Sequence, residues 1–136
     1  MKADNFLIEE LVPKELLEVL HEDILWKLID SKLIESIETI KRKFPEGTMT
    51  INNYKWGGSR NWSGVRTKSS PYYSPTSQHS LGKAVDAVFS AYDVNEVRQY
   101  IITHPEEFPH IKGIELGVSW LHIDVRNSVT VKTFYP

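Results

Sequence analysis

An acid inside an apolar run constrains this chain more than any other feature. Ala84-Val85-Asp86-Ala87-Val88-Phe89 is short and rich in β-branched and aromatic residues, with Gly82 just ahead of it. That pattern predicts a core strand entered through a turn. Asp86 interrupts it, and a carboxylate taken out of water is costly unless it is paired, hydrogen-bonded or bound to a metal. His79 lies seven residues earlier. On a helix that separation is about two turns, roughly 10 Å of rise, too far for two ligands of one ion. A turn at Gly82 instead folds His79 back beside Asp86.

A second stretch answers the first. In Ser119-Trp120-Leu121-His122-Ile123-Asp124-Val125-Arg126, period-two alternation puts Leu121, Ile123 and Val125 on one face and Trp120, His122, Asp124 and Arg126 on the other. The first face is core; the second carries too many polar groups for packing alone and is expected to line a site. His79, Asp86 and His122 then offer two nitrogens and one oxygen, with a fourth position left for water, the catalytic rather than structural pattern for zinc. The competing reading is a triad whose members satisfy one another by hydrogen bonds with no ion present.

The spacing Ser77-x-His79-x-x-Gly82-x-Ala84-x-Asp86 with the later Trp120-x-His122 resembles the metallopeptidases that include zinc D-alanyl-D-alanine carboxypeptidases and phage L-alanyl-D-glutamate endolysins. Ser63-Gly64-Val65-Arg66 is similar to that family's upstream Ser-Gly-Tyr-Arg element. The resemblance spans about residues 33 to 126. It implies a hedgehog/DD-peptidase-like α+β fold and His79, Asp86 and His122 as zinc ligands. It further implies Arg66, Ser77 and Trp120 as substrate-binding residues and a peptide bond of peptidoglycan as the substrate, cut by a carboxypeptidase or an endopeptidase. Many members carry an acid three positions before the last histidine, or a histidine two before it, as general base. Here those positions hold Ser119 and Trp120. The base must come from elsewhere, or the domain is a catalytically impaired cell-wall-binding or virion-structural module. A hydrolase of another small amide is a third reading, since fold does not fix substrate.

Two acids are candidates for the base. Asp124 shares the face of His122, and otherwise orients that ligand or pairs with Arg126. Glu115 lies on the preceding strand, and a turn at Gly117 brings it opposite Ser119 or Trp120; otherwise it is an exposed strand carboxylate. Arg66 suits bidentate recognition of a substrate carboxylate; otherwise it caps a carbonyl or pairs with an acidic neighbour.

The rest of the chain reads as scaffold. Pro13 begins a helix carried through Leu16, Leu17, Leu20, Ile24, Leu28 and Ile29, and a second runs from about Ser31, its candidate cap, to Lys43 with Leu33, Ile34, Ile37 and Ile40 buried. A short strand is expected over Thr48 to Asn52. The segment from there to Gln78 is dense in Gly, Ser, Pro, Trp and Tyr without periodicity. A loop of that length is functional or disordered, and its aromatics favour a cleft wall. Asp93 caps a helix through Ile102, His104 and His110 read as surface loop residues, and strands follow over Ile111 to Leu116, Ser119 to Val125 and Val129 to Phe134. N-terminal helices packed on a small, mostly antiparallel sheet make an α+β domain.

With 136 residues the chain suits one domain, 1–136, helical over 1–45 and holding the sheet and metal site over 48–136. It has no cysteine, so disulfides and thiolate zinc sites are excluded. Sixteen basic against eighteen acidic residues give a net charge of −2 and no broad field favouring nucleic acid. No apolar run is long enough for a transmembrane segment, and no signal peptide is evident near Met1. A cell-wall enzyme of this kind is expected in the cytoplasm until released, or associated with a virion.

Overall fold

A computed structural model describes residues 1–136. It is an α+β fold in which four helices accompany one five-stranded mixed sheet. After a 3₁₀ turn at Ile8–Glu10 come helices α1 (Lys14–Leu17), α2 (Glu22–Lys27) and α3 (Ser31–Lys43), strands β1 (Met49–Thr50) and β2 (Ala84–Phe89), helix α4 (Val94–Thr103), and strands β3 (Gly113–Glu115), β4 (Leu121–Asp124) and β5 (Lys132–Phe134).

The single helix expected from Pro13 to Ile29 is two short ones. Pro13 caps α1, and the chain breaks before His21, whose extended backbone and Nδ1 accepting from the Asp23 amide start α2 afresh. Propensity carries no trace of this break. It lets Leu25, Trp26 and Ile29 reach the core while Val19, Ile24 and Leu28 stay exposed. Helix α3 keeps its expected limits, but Asp30 rather than Ser31 is its cap, accepting from the Lys32 amide at 2.8 Å. A carboxylate both satisfies that orphan donor and complements the positive end of the helix dipole.

Strand order is β1-β2-β4-β3-β5. Three pairings are antiparallel, while β5 runs parallel to β3. Strand β2 spans the expected Ala84–Phe89, while the other four are shorter than expected because pairing ends where the loops turn away. Leu33, Ile34, Ile37 and Ile40 of α3 and Val97 and Ile101 of α4 form one core cluster with Val85, Ile114, Leu121 and Ile123. Each such aliphatic side chain contributes about 1.5–3 kcal/mol by leaving water. Covering one sheet face in this way leaves the other face of β2 and β4 to the long loop over residues 53–78, whose only regular piece is a 3₁₀ turn at Tyr54–Trp56. No helix is long and apolar enough to cross a membrane.

Candidate metal centre

The β2–β4 register sets Asp86 directly opposite His122 and Ala84 opposite Asp124. His79 reaches the same point from outside the sheet. The turn before β2 passes through Gly82 at φ +71°, where a Cβ would lie 1.9 Å from the Leu28 carbonyl oxygen, so only glycine fits. The result is a compact triad whose ligand atoms all lie within 4.8 Å of one another. His79 Nε2 is 3.3 Å and His122 Nδ1 2.9 Å from Asp86 Oδ1. Ligands of one tetrahedral zinc stand about 3.4 Å apart, given metal–ligand bonds of about 2.1 Å. The triad is thus near coordination spacing, and its side chains are only 4%, 13% and 9% exposed for His79, Asp86 and His122.

Each histidine has its far nitrogen engaged. His79 Nδ1 is 2.9 Å from the Gly64 carbonyl, which can only accept, so Nδ1 carries a proton and the ring is held with Nε2 turned to Asp86. His122 Nε2 is 2.9 Å from Asp124 Oδ2. Asp124, fully buried, is itself gripped by Arg126, whose Nε and Nη2 donate at 2.7 Å to Oδ1 and Oδ2. Carbonyl and carboxylate partners of this kind fix ring orientation and tautomer in metal-bound histidines. The donor set of two imidazoles and one carboxylate suits zinc and its borderline neighbours.

Electrostatics follow from this crowding. Burial opposes ionisation of Asp86, but hydrogen bonds from His122 and His79 outweigh it and hold the carboxyl well below the usual carboxylate range. Burial likewise disfavours the His122 imidazolium, yet Asp124 and Asp86 on its two sides bring its pKa up to about 9. Asp124 is lowered to about 2, burial being outweighed by Arg126 and His122.

The triad opens onto a cleft of about 760 Å³ whose walls include Trp62, Tyr72, Glu115, Trp120 and Phe134. The loop over residues 53–78 does form one wall, through Trp62 and Tyr72, while Trp56 lies outside the cleft, 61% exposed. Arg66 sits on this wall, engaged: Nε donates to the Trp62 carbonyl at 2.8 Å and Nη2 to Asp86 Oδ2 at 3.1 Å. Both bonds expected of a purely structural Arg66 are therefore made, while Nη1 has no protein partner. Ser77 lines the cleft, and its Oγ accepts from the His79 amide at 3.3 Å, shaping the turn that carries His79. Trp120 lines the cleft too; its Nε1 is buried with no acceptor in the protein.

Asp124 sits at the back of the cleft, behind His122. It is fully buried and its oxygens are bonded to His122 and Arg126, the arrangement expected of a support that orients His122. Glu115 lines the cleft, and its carboxylate has no hydrogen-bond partner in the protein. Its place differs from the expected one opposite Ser119 or Trp120. The β3–β4 register pairs Gly113 with Asp124 and Ile114 with Ile123, and continuing it by one residue sets Glu115 across from His122. The loop after Gly117, at φ +75°, is longer than a tight hairpin and shifts the alignment.

Two contributors were not singled out in the sequence. Gly64 supplies the carbonyl that orients His79. Gly113, paired with Asp124, has no side chain because the Asp124 carboxylate fills that space. A glycine within an apolar strand pattern is the available signal for such close approach. His104 stacks on Tyr100 and His110 pairs with Glu35, both away from the triad. Comparison with protein-family profiles, curated proteins and solved structures finds no match to this chain.

Proposed function

We propose that this protein is a zinc-dependent peptidase with a hedgehog/DD-peptidase-like fold, acting on a peptide bond of peptidoglycan stem peptides as a carboxypeptidase or endopeptidase. The observation that carries the reading is the His79–Asp86–His122 triad at near coordination spacing, each histidine oriented from behind, at the base of an open cleft. The peptide substrate rests on the resemblance in the Ser77 to Asp86 and Ser63 to Arg66 motifs.

His79 Nε2, His122 Nδ1 and Asp86 Oδ1 would hold the ion. Bound there, zinc would polarise the scissile carbonyl and make water a competent nucleophile near neutral pH. Gly64 keeps the proton of His79 on Nδ1, and Asp124 keeps that of His122 on Nε2. Glu115, unpartnered on the cleft wall, takes the proton of the attacking water and returns it to the leaving amine. Arg66 holds Asp86 through Nη2 and offers Nη1 to a substrate carboxylate. Trp62, Tyr72 and Trp120 screen the peptide from water.

Muropeptide digestion analysed by mass spectrometry tests this. Chelator-sensitive release of D-alanine or of a cleaved stem peptide, restored by zinc and lost in Glu115→Gln at full zinc content, is the expected result. Stoichiometric zinc with no cleavage of any muropeptide would favour the cell-wall-binding or virion-structural module. Equal cleavage with chelator present would end the zinc reading.

A further inference from the structure

We propose that Arg98 is a positioning residue of the cleft: from helix α4, its guanidinium clamps the turn that leads from Glu115 to His122 and sets Trp120 on the cleft wall. The inference rests on the peptidase reading only for its kinetic consequence.

Arg98 is 6% exposed. Nη2 donates to two carbonyls of one turn, Val118 at 2.9 Å and Trp120 at 2.5 Å, and Nη1 donates to Asn95 Oδ1 at 2.7 Å. Nε is buried without a partner, and no carboxylate stands within ion-pair distance. Burial pushes the guanidinium pKa down, and Glu115 is the leading charge that opposes this. A buried cation paired only with carbonyls is an expensive way to hold a helix against a sheet, where an aliphatic side chain would serve.

What the guanidinium does that an aliphatic chain cannot is bind two carbonyls two residues apart with one nitrogen. That curls the chain after Gly117 around it, immediately before Leu121 and His122 enter β4. Glu115 ends β3 just ahead of the turn and Trp120 closes it. Trp120 is therefore fixed by one side chain that touches neither substrate nor triad, at the exit of the turn that Glu115, anchored by the pairing of β3 with β5, enters. Lysine keeps the charge but lacks the planar fork that also reaches Asn95.

The test compares wild type with Arg98→Lys and Arg98→Met, measuring zinc affinity, kcat and KM on a muropeptide, and amide exchange across Val118–Leu121. In Arg98→Met we expect kcat to fall about tenfold or more, as displaced reacting groups do, and KM to rise as Trp120 loosens, with zinc affinity within about threefold. Arg98→Lys should recover part of kcat and protects against the case in which the methionine variant does not fold. Exchange should accelerate in the turn but not in α3 or β2. Unchanged kcat in folded variants, or zinc affinity falling in step with kcat, would overturn the assignment. If wild type cleaves no muropeptide, the peptidase reading falls and exchange alone decides: acceleration confined to the turn supports the clamp, and uniform or absent acceleration overturns it.

Discussion

Gly113→Ala is the sharpest test of how the candidate metal centre is built. A Cβ at Gly113 would lie 2.1 Å from Asp124 Oδ1, 2.3 Å from Oδ2 and 2.4 Å from Cγ. Comfortable contact needs about 3.5 Å, so the carboxylate must retreat by more than about 1 Å. It has nowhere to go cheaply, being fully buried and held by Arg126 at 2.7 Å twice and by His122 at 2.9 Å. A retreat of that size stretches these bonds beyond hydrogen-bonding range. Breaking a buried charged network costs about 3–5 kcal/mol, against which alanine recovers about 0.5–1 kcal/mol over glycine in a strand. The net loss of about 2–4 kcal/mol corresponds to a Tm fall of roughly 10 °C for a chain of this size. Zinc affinity should drop about 10–100-fold, since His122 loses the partner that orients it. Thermal denaturation and competition with a chromophoric chelator read both effects. In an Asp124→Ala background the clash is absent, so Gly113→Ala should be nearly neutral there. Equal cost in both backgrounds, or wild-type zinc affinity in the single variant, would refute the reasoning.

Three further outcomes are expected. Arg66→Lys should weaken zinc binding about tenfold by freeing Asp86, as loss of an outer partner does, and should also raise KM; chelator competition alongside kinetics separates the effects, and unchanged values of both would remove Arg66 from the site. In the metal-free protein the His122 pKa is raised from 6.5 to about 9, so its stabilisation is complete below pH 6.5 and is lost as pH rises to 9. Tm of the chelated protein should fall across that interval, whereas the Tm increment from added zinc should grow as competing protons leave; a flat metal-free profile would contradict the His122–Asp86–Asp124 contacts. Ile37→Ala, fully buried where α3 joins the core cluster, should cost about 2–5 kcal/mol in chemical denaturation while leaving zinc affinity unchanged, and a loss of zinc binding in the folded variant would mean that core and site are not separable.

The sequence by itself determined the ingredients. An acid in an apolar strand, a histidine before a glycine turn and a histidine on the polar face of an alternating strand place His79, Asp86 and His122 together, because side-chain period and turn chemistry are local properties. Helix α3 was legible for the same reason, its stripe and length being written in consecutive residues. Tertiary structure decided everything that depended on register and on second partners. The β3–β4 alignment put Glu115 across from His122, Arg126 and His122 engaged both oxygens of Asp124, and Asp86 drew in Arg66. It also decided the break before His21, since which of Leu25, Trp26, Ile24 and Leu28 reaches the core depends on the sheet they pack against. Those outcomes are set by groups distant in the chain competing for the same charge or the same space, and no window of neighbouring residues contains that competition.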